Sequence, residues 1–194
     1  MSKEIEAKFF VNDFASIREK LSSISATCSK PRTLMRRYTY TLVEKSNASS
    51  HEWARVRDEG DKITMAYKLA FDTARADGTE EIEIIVNDFD AAATLMSKLG
   101  FNDRLHQESY RETWKYGDFQ ITLDEWPVIG TFVEIEGPNE EGVRHLSANL
   151  GFDYATALFG GIGNLYGAKY GKDMGLVKEL TFAKSEQIKA FLNS

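Results

Sequence analysis

Pairs of like charges two residues apart recur along the first two-thirds of this chain. Four such pairs stand in segments of alternating charged and apolar residues, at Glu4 and Glu6, Arg55 and Arg57, Glu81 and Glu83, and Glu134 and Glu136. Successive side chains of a β-strand point to opposite faces, so each pair shares one face and leaves its apolar neighbours on the other. The alternation predicts amphipathic strands. It also requires something to relieve the repulsion between neighbouring like charges.

Eight segments have the composition and the alternation of strands. They are residues 4–11, 36–42, 52–58, 62–70, 80–86, 109–116, 119–126 and 131–137. Two amphipathic segments, 12–24 and 87–100, predict helices that each begin with an Asn or Asp cap. From Glu140 to Ser194 the pattern predicts further helices around a glycine-rich stretch.

A short internal repeat is visible between the two helix-bearing regions. Each contains Glu-x-Glu followed by Val-Asn-Asp-Phe and a helical segment, beginning at Glu4 and again at Glu81. A length of 194 residues suits a single domain over residues 1–194, and the repeat predicts two related halves within it. Its halves cover about 1–76 and 77–137, and a helical tail covers 140–194.

Composition excludes several classes of protein. The 194 residues carry a formal charge of −6, which argues against a nucleic-acid duplex as the main partner. Cys28 is the one cysteine, so neither a disulfide framework nor a thiolate metal cluster can form within the chain. We expect a cytoplasmic protein with no membrane association, because no apolar run approaches the length of a membrane span.

The eight amphipathic strands allow two arrangements. Antiparallel sheets usually bury the apolar face and leave the charged face in water. Alternatively, the strands close into an eight-stranded antiparallel barrel with the charged faces inward and helices packed outside, an α+β fold. The barrel would place a divalent cation between carboxylates and a polyphosphate between arginines and lysines. It predicts that certain apolar residues pack under helices, namely Ile5, Ala7, Phe9, Val56, Ile82, Ile84 and Ile135.

Four motifs in the same order resemble those of the CYTH domain, or triphosphate tunnel metalloenzyme, family. The N-terminal Glu-x-Glu-x-Lys stands at residues 4–8, and Trp-Ala-Arg-Val-Arg at 53–57 is followed by Lys68. Tyr-Arg-Glu-Thr-Trp stands at 110–114, and the Asp followed by a Glu-x-Glu strand spans 123–137. The resemblance covers most of the chain to about Gly137. It implies an eight-stranded tunnel that processes triphosphate-containing substrates with Mg²⁺ or Mn²⁺.

The resemblance also implies roles for individual residues. Metal ligands would be Glu4, Glu6, Asp124, Glu134 and Glu136. Residues that bind the phosphates and support catalysis would be Lys8, Arg55, Arg57, Lys68 and Arg111. On strand faces alone, Arg37 and Lys115 join the substrate-binding set, and Glu81 and Glu83 are further lumen candidates.

The activity is left between alternatives. A triphosphatase acting on tripolyphosphate, thiamine triphosphate or ATP is favoured, with a class IV adenylyl cyclase second and a non-catalytic polyphosphate or nucleotide-binding module third. Many members of the family carry a basic residue two positions before the central arginine, where this chain has Ser109. That departure slightly disfavours the cyclase. The substrate and the oligomeric state stay open, with a homodimer as one alternative.

Overall fold

The computed structural model describes residues 2–41, 51–101, 104–174 and 177–194. The strands are β1 (Ser2–Glu4), β2 (Glu6–Val11), β3 (Thr27–Thr41), β4 (His51–Asp58), β5 (Ile63–Ala70), β6 (Thr79–Val86), β7 (Arg104–Tyr116), β8 (Phe119–Trp126), β9 (Gly130–Glu136) and β10 (Glu179–Leu180). The α-helices are α1 (Ala15–Ser23), α2 (Phe89–Lys98), α3 (Glu140–Asn149), α4 (Ile162–Tyr170) and α5 (Ser185–Leu192). Residue 42, predicted to end the second strand, lies outside the described residues.

The strands form one sheet in the order β1-β6-β5-β4-β3-β7-β8-β9-β2, with every neighbouring pair antiparallel. β10 adds to β7 in parallel. Only Ile5 separates β1 from β2, yet β1 pairs with β6 and β2 pairs with β9. The sheet therefore curls, because its two end strands follow one another in the chain. We call the side that carries Glu6 and Lys8 the lumen face.

Two apolar clusters lie between the outer face of the sheet and the helices. One packs α1 and α3 on β2, β8 and β9, and it includes Ala7, Phe9 and Ile135, all at most 3% exposed. The other packs α2 on β4 and includes Val56. The predicted antiparallel α+β architecture with helices outside is confirmed, since burying these faces removes the apolar surface from water.

Of the caps predicted for the first two helices, the one at α2 is present, whereas α1 begins after Phe14, which offers no side-chain cap. The side chain of Asp88 accepts a hydrogen bond from the backbone N–H of Ala91 at the start of α2. Before α1, the Asp13 carboxylate accepts one from the N–H of Ala15. Each carboxylate satisfies a backbone donor that has no partner within its helix.

The expectation that Ile82 and Ile84 pack under a helix is wrong. They are 49% and 55% exposed on the outer face of β6. The reason is that α2, with only ten residues, lies over β4 and reaches Val86 at the end of β6 but does not cover Ile82 and Ile84. Alternation shows which side of a strand is apolar, but not whether a helix reaches it.

The C-terminal segment packs against the lumen face at one end of the sheet. Phe132 lies two residues before Glu134 on β9, and Trp126 lies two residues after Asp124 on β8, so both share the charged face. They form an apolar cluster with residues of the C-terminal segment, Leu165, Tyr166, Met174, Leu180, Ile188 and Leu192. The Tyr166 hydroxyl donates to the carbonyl of Pro127 at 2.5 Å and ties α4 to the β8–β9 turn. The lumen face therefore has an apolar end as well as a charged part.

A buried carboxylate on the outer face links α1 to β7. Glu112 is 7% exposed and accepts hydrogen bonds from Arg18 at 2.8 Å and from the Trp114 indole at 2.7 Å. The hydrogen bond from Arg18 is the main reason that the pKa of Glu112 is lowered.

We expect Glu112→Gln to lower the free energy of unfolding at pH 7 by about 1 kcal/mol, since the charge-assisted hydrogen bonds are lost and partly exposed Arg18 gains solvent. A lowered pKa means that the wild type loses this contribution as the pH falls below 4.5, the ordinary value for a glutamate. The difference between the two proteins should therefore shrink on acidification, as measured by urea unfolding. Glu186→Gln, at an exposed pair with Lys189, is the control and should change little at either pH. A difference in the free energy of unfolding between Glu112→Gln and the wild type that stays constant with pH would contradict this account.

Within the described ranges, none of the helices is long and apolar enough to cross a membrane.

Candidate active site

Strand register brings the predicted site residues together on the lumen face. Glu6 is opposite Glu136, and Lys8 is opposite Glu134, across β2 and β9. Further round the sheet three more pairs are adjacent, namely Arg111 with Asp124, Arg37 with Arg57, and Lys68 with Glu81. Alternation alone placed these residues on one face. The register determines which of them are neighbours.

Carboxylates dominate the side of the lumen formed by β1, β2 and β9. Lys8 forms ion pairs with Glu6 and with Glu134, the latter at 3.2 Å. Lys68 reaches Glu4 at 2.7 Å and Glu81 at 3.4 Å. Both lysines therefore lie between glutamates and offset part of their mutual repulsion.

The lysines do not neutralise every carboxylate. Burial, together with the charges of Glu134 and Glu6, raises the pKa of Glu136 to about 7. Burial also raises the pKa of Glu6, although Lys8 opposes it. In contrast, Lys8 and Arg111 outweigh burial at Glu134 and lower its pKa to about 2. Burial raises the pKa of Glu4 as well, although Lys68 opposes it. Glu4, Glu6 and Glu136 are thus only partly neutralised by the cations of the protein.

Guanidinium groups dominate the opposite side of the lumen. Arg55 forms ion pairs with Glu81 at 3.2 Å and Glu83 at 2.9 Å. Arg57 pairs with Glu59 at 2.5 Å and Glu83 at 3.5 Å. Burial and the nearby charge of Arg55 lower the pKa of Arg57 to about 10. Cations this close to one another favour an anion between them.

Three buried guanidinium nitrogens of the lumen, the Nε atoms of Arg37, Arg55 and Arg57, have no hydrogen-bond partner among the described residues. An unsatisfied buried donor is costly, and most buried polar groups in proteins are paired. Three such donors on neighbouring arginines indicate that the site is built for acceptors that come from outside the chain.

Both carboxylate oxygens of Asp124 accept hydrogen bonds from other side chains of the protein. The residue is fully buried, and its Oδ1 accepts from the Arg111 Nε at 2.8 Å while its Oδ2 accepts from the Thr122 hydroxyl at 2.6 Å. Arg111 also lies 3.5 Å from Glu134. Asp124 was predicted to be a metal ligand, and in this arrangement it fixes Arg111 between the acidic and the basic sides of the lumen.

The donor set can be tested against a divalent metal ion. In the part of the chain that the structure describes, no three His, Cys, Asp or Glu side chains converge into a metal site. The cause is that Lys8 and Lys68 occupy the space between the glutamates. The chemistry nevertheless fits, because Glu4, Glu6, Glu134 and Glu136 supply the hard oxygen donors that Mg²⁺ and Mn²⁺ prefer. The raised pKa values of Glu6 and Glu136 mark places where added positive charge is stabilised.

Lys115 lies away from the arginines, at the opening of the lumen. It is exposed and lines a cavity of about 300 Å³ together with Asp118, Gln120 and Glu136. The amide of Gln120 lies 3.5 Å from the Glu136 carboxylate. Through this opening Glu136 is accessible from the surface.

Several lumen residues escaped the sequence analysis. Glu59, which pairs with Arg57, lies two residues beyond it, so the alternation already assigned it to the charged face. Trp126 lies against the Arg37 guanidinium at 4.5 Å and follows Asp124 by two residues. The two-residue spacing from Arg57 and from Asp124 could have assigned both residues to the lumen face. Glu59 was missed because it lies in a turn sequence, and Trp126 because it is apolar.

The comparisons with known proteins place the chain in a family. A model of the CYTH domain matches residues 2–148, so the chain belongs to the CYTH domain family. Members of this family include triphosphatases and adenylyl cyclases, bind triphosphate substrates and use divalent metal ions. The resemblance inferred from the four motifs is therefore confirmed.

Individual relatives are distant in sequence. A protein of Methanocaldococcus jannaschii, provisionally named an adenylate cyclase, is 25% identical over 133 residues, which are 69% of this chain and 75% of that protein. A provisionally named adenylate cyclase from Vibrio parahaemolyticus has a solved structure with a TM-score of 0.65 and 15% identity, and the match covers 84% of this chain and 97% of that one. A Hippeastrum protein, provisionally named an adenylyl cyclase and reported to have a dominant triphosphatase activity, has a TM-score of 0.54 and 16% identity over 89% and 97% of the two chains. Both structures share the fold of this protein.

Proposed function

We propose that this protein is a divalent-metal-dependent triphosphatase that hydrolyses a phosphoanhydride bond of inorganic triphosphate or of an organic triphosphate. The observation that carries the proposal is that one lumen contains both a group of arginines suited to bind an anion and a group of carboxylates suited to bind a cation. Arg37, Arg55 and Arg57 have unsatisfied buried donors, and on the other side Glu6 and Glu136 have raised pKa values. A triphosphate with its metal ion satisfies both, because it offers anionic oxygens and a cation together.

The chain's own residues would divide the work by position. Arg55, Arg57 and Arg111 would hold phosphate oxygens and stabilise the negative charge that develops on the leaving phosphate. Glu4, Glu6, Glu134 and Glu136 would hold the metal, with Asp124 as a further proposed ligand. When bound, the metal would neutralise phosphate charge and activate the attacking water.

Lys8 and Lys68 would change partners when the substrate arrives. In this structure they pair with Glu6, Glu134 and Glu4. A cation bound among the glutamates would replace the lysines there, and both ammonium groups would then be free to bind phosphate oxygens. The ion pairs of the lumen would thus keep these groups in place until the substrate enters.

An adenylyl cyclase is the second candidate. The M. jannaschii relative that carries this name shares 25% identity with 69% of the chain. The same lining would serve if the ribose 3′-hydroxyl of ATP attacked instead of water, forming cyclic AMP and pyrophosphate. The reactions differ in the attacking oxygen, so their products distinguish them.

We expect the purified protein to release phosphate from tripolyphosphate in the presence of Mg²⁺ or Mn²⁺. Tripolyphosphate, thiamine triphosphate and ATP would each be incubated with either metal, and phosphate, pyrophosphate and cyclic AMP would be measured. Omission of metal, and a Glu6→Gln preparation purified in parallel, control for contaminating phosphatases. Cyclic AMP from ATP with no phosphate release from any substrate would replace the triphosphatase by the cyclase. Binding without any product would favour a non-catalytic binding module.

A further inference from the structure

Arg37 on β3 and Ser109 on β7 share one space on the lumen face. Arg37 is directly opposite Gln107, and Ser109 lies two residues further along the same strand, so the two side chains are diagonal neighbours on one face. Ser109 is fully buried, and its hydroxyl accepts a hydrogen bond from the Arg37 Nη2. A larger side chain at position 109 would occupy the space that the guanidinium now fills.

Arg37 differs from the other buried cations of the lumen. Lys8, Arg55, Arg57 and Arg111 each form at least one ion pair with a carboxylate. Arg37 forms none among the residues that the structure describes, although it is only 5% exposed. It contacts the neutral Ser109 hydroxyl and the face of the Trp126 ring, and its Nε has no hydrogen-bond partner in the part of the chain that the structure describes.

The surroundings of Arg37 make this charge still more costly. Burial and the nearby charges of Arg57, Arg55 and Arg111 lower its pKa well below the ordinary value. A buried charge without a counterion is strongly destabilising, and only an anion or the loss of the charge relieves it. Trp126 lies against the guanidinium, and the Arg37 Nε, like those of Arg55 and Arg57, is a buried donor without a partner among the described residues.

We infer that Arg37 is a phosphate-binding residue of the substrate site, and that the small side chain of Ser109 is what allows it to occupy this position. The inference rests on the proposed function, because it assumes a polyphosphate ligand. It assigns this role to the lumen cation on β3, whose unsatisfied Nε is one of the donors on which the proposed function rests. It also makes positions 37 and 109 interdependent, because one cation fits the space and two do not.

The test uses the full chain and inorganic tripolyphosphate without metal, so that binding is measured apart from turnover. We expect Arg37→Met to weaken binding by about 10- to 100-fold in calorimetry, the range for losing hydrogen bonds to a charged group. The thermal midpoint without ligand should stay the same or rise, because an uncompensated buried charge is removed. Arg37→Gln keeps a polar contact but lacks the charge, and it should show the same changes in affinity and thermal midpoint. It replaces Arg37→Met in the test if the methionine variant folds poorly. Arg36→Met, at the next residue on the outer face, where Arg36 pairs with Asp58, is the matched control and should bind as the wild type does.

A second pair of variants tests the shared space. Ser109→Lys alone should weaken binding and lower the midpoint, since two cations compete for one place. In the double variant Arg37→Met with Ser109→Lys, binding should return to within about 10-fold of the wild type, because one cation is again present. A double variant that binds no better than Arg37→Met would overturn the interdependence.

The outcomes separate this inference from the proposed function. If the wild type binds tripolyphosphate and Arg37→Met binds equally well, Arg37 has no part in the site, while the triphosphatase proposal stands. If Arg37→Met lowers the unliganded midpoint and leaves the affinity unchanged, Arg37 is structural and the inference fails. If the wild type binds no tripolyphosphate without metal but releases phosphate with Mg²⁺ or Mn²⁺, the inference fails and the proposed function stands. If it neither binds tripolyphosphate nor hydrolyses any of the three triphosphates, both fail.

Discussion

Replacing Glu136 with glutamine is expected to lower triphosphate turnover by roughly 100-fold or more while leaving the fold intact. Glutamine has nearly the same shape as glutamate but lacks the charge that holds a metal ion. Glu136 lies at the opening of the lumen, and burial, together with the charges of Glu134 and Glu6, raises its pKa to about 7. Removing one of these like charges relieves repulsion, so the metal-free variant should be at least as stable as the wild type.

Glu6→Gln should have the same effect on turnover, because Glu6 is opposite Glu136 across β2 and β9. Both variants should also lose affinity for Mn²⁺, which calorimetry measures independently of catalysis. Glu125→Gln is the matched control, since Glu125 follows Asp124 on the opposite face of β8 and pairs with Arg32. Its turnover and Mn²⁺ affinity should match the wild type. Wild-type turnover in both Glu6→Gln and Glu136→Gln would remove these residues from the proposed metal site.

The sequence predicted the faces of the strands well, because a period of two is a property of any extended chain. Glu6, Lys8, Arg55, Arg57 and Asp124 lie on one face for this reason alone. Strand boundaries were harder to predict. β3 begins at Thr27, nine residues before the predicted start, and its pairing with β7 shifts register around Lys30. That irregularity around a proline interrupts the alternation on which the prediction depended.

Contacts between distant segments could not be predicted from alternation. Whether Ile84 is covered depends on where α2 lies, and whether Trp126 is covered depends on the C-terminal segment. The first depends on the packing of α2 against β4, which ends more than 30 residues earlier in the chain, and the second on helices that begin more than 30 residues after Trp126. The apolar residues of the C-terminal segment predicted helices, but nothing in them indicated that they would close one end of a charged lumen.

The pairing of charges in the lumen was also beyond the sequence. The resemblance implied that Asp124 binds metal, whereas its two oxygens accept hydrogen bonds from Arg111 and Thr122. In a low-dielectric interior each carboxylate pairs with the nearest cation, so the strand register and the lengths of the side chains determine which residues form ion pairs. The composition of the site could be predicted, but its internal ion pairs could not.

Arg111→Met is expected to lower the free energy of unfolding by about 3 to 5 kcal/mol, the cost of leaving a buried carboxylate unpaired. Asp124 is fully buried, and Arg111 donates to it at 2.8 Å, so its removal leaves Asp124 with the Thr122 hydroxyl as its remaining hydrogen-bond donor among those described. Urea unfolding at pH 7 in the absence of metal measures the effect. Arg75→Met, at an exposed pair with Asp77, is the control and should leave stability unchanged within error.

The double variant Arg111→Met with Asp124→Asn separates stability from function. With both charges gone, no buried ion is left without a partner, so most of the lost stability should return. Turnover should stay at least about 100-fold below the wild type, because the guanidinium proposed to stabilise the leaving phosphate is still missing. A stable but inactive double variant shows that the Arg111–Asp124 pair is needed for turnover as well as for stability. Recovery of turnover together with stability would instead mean that Arg111 supports the fold alone.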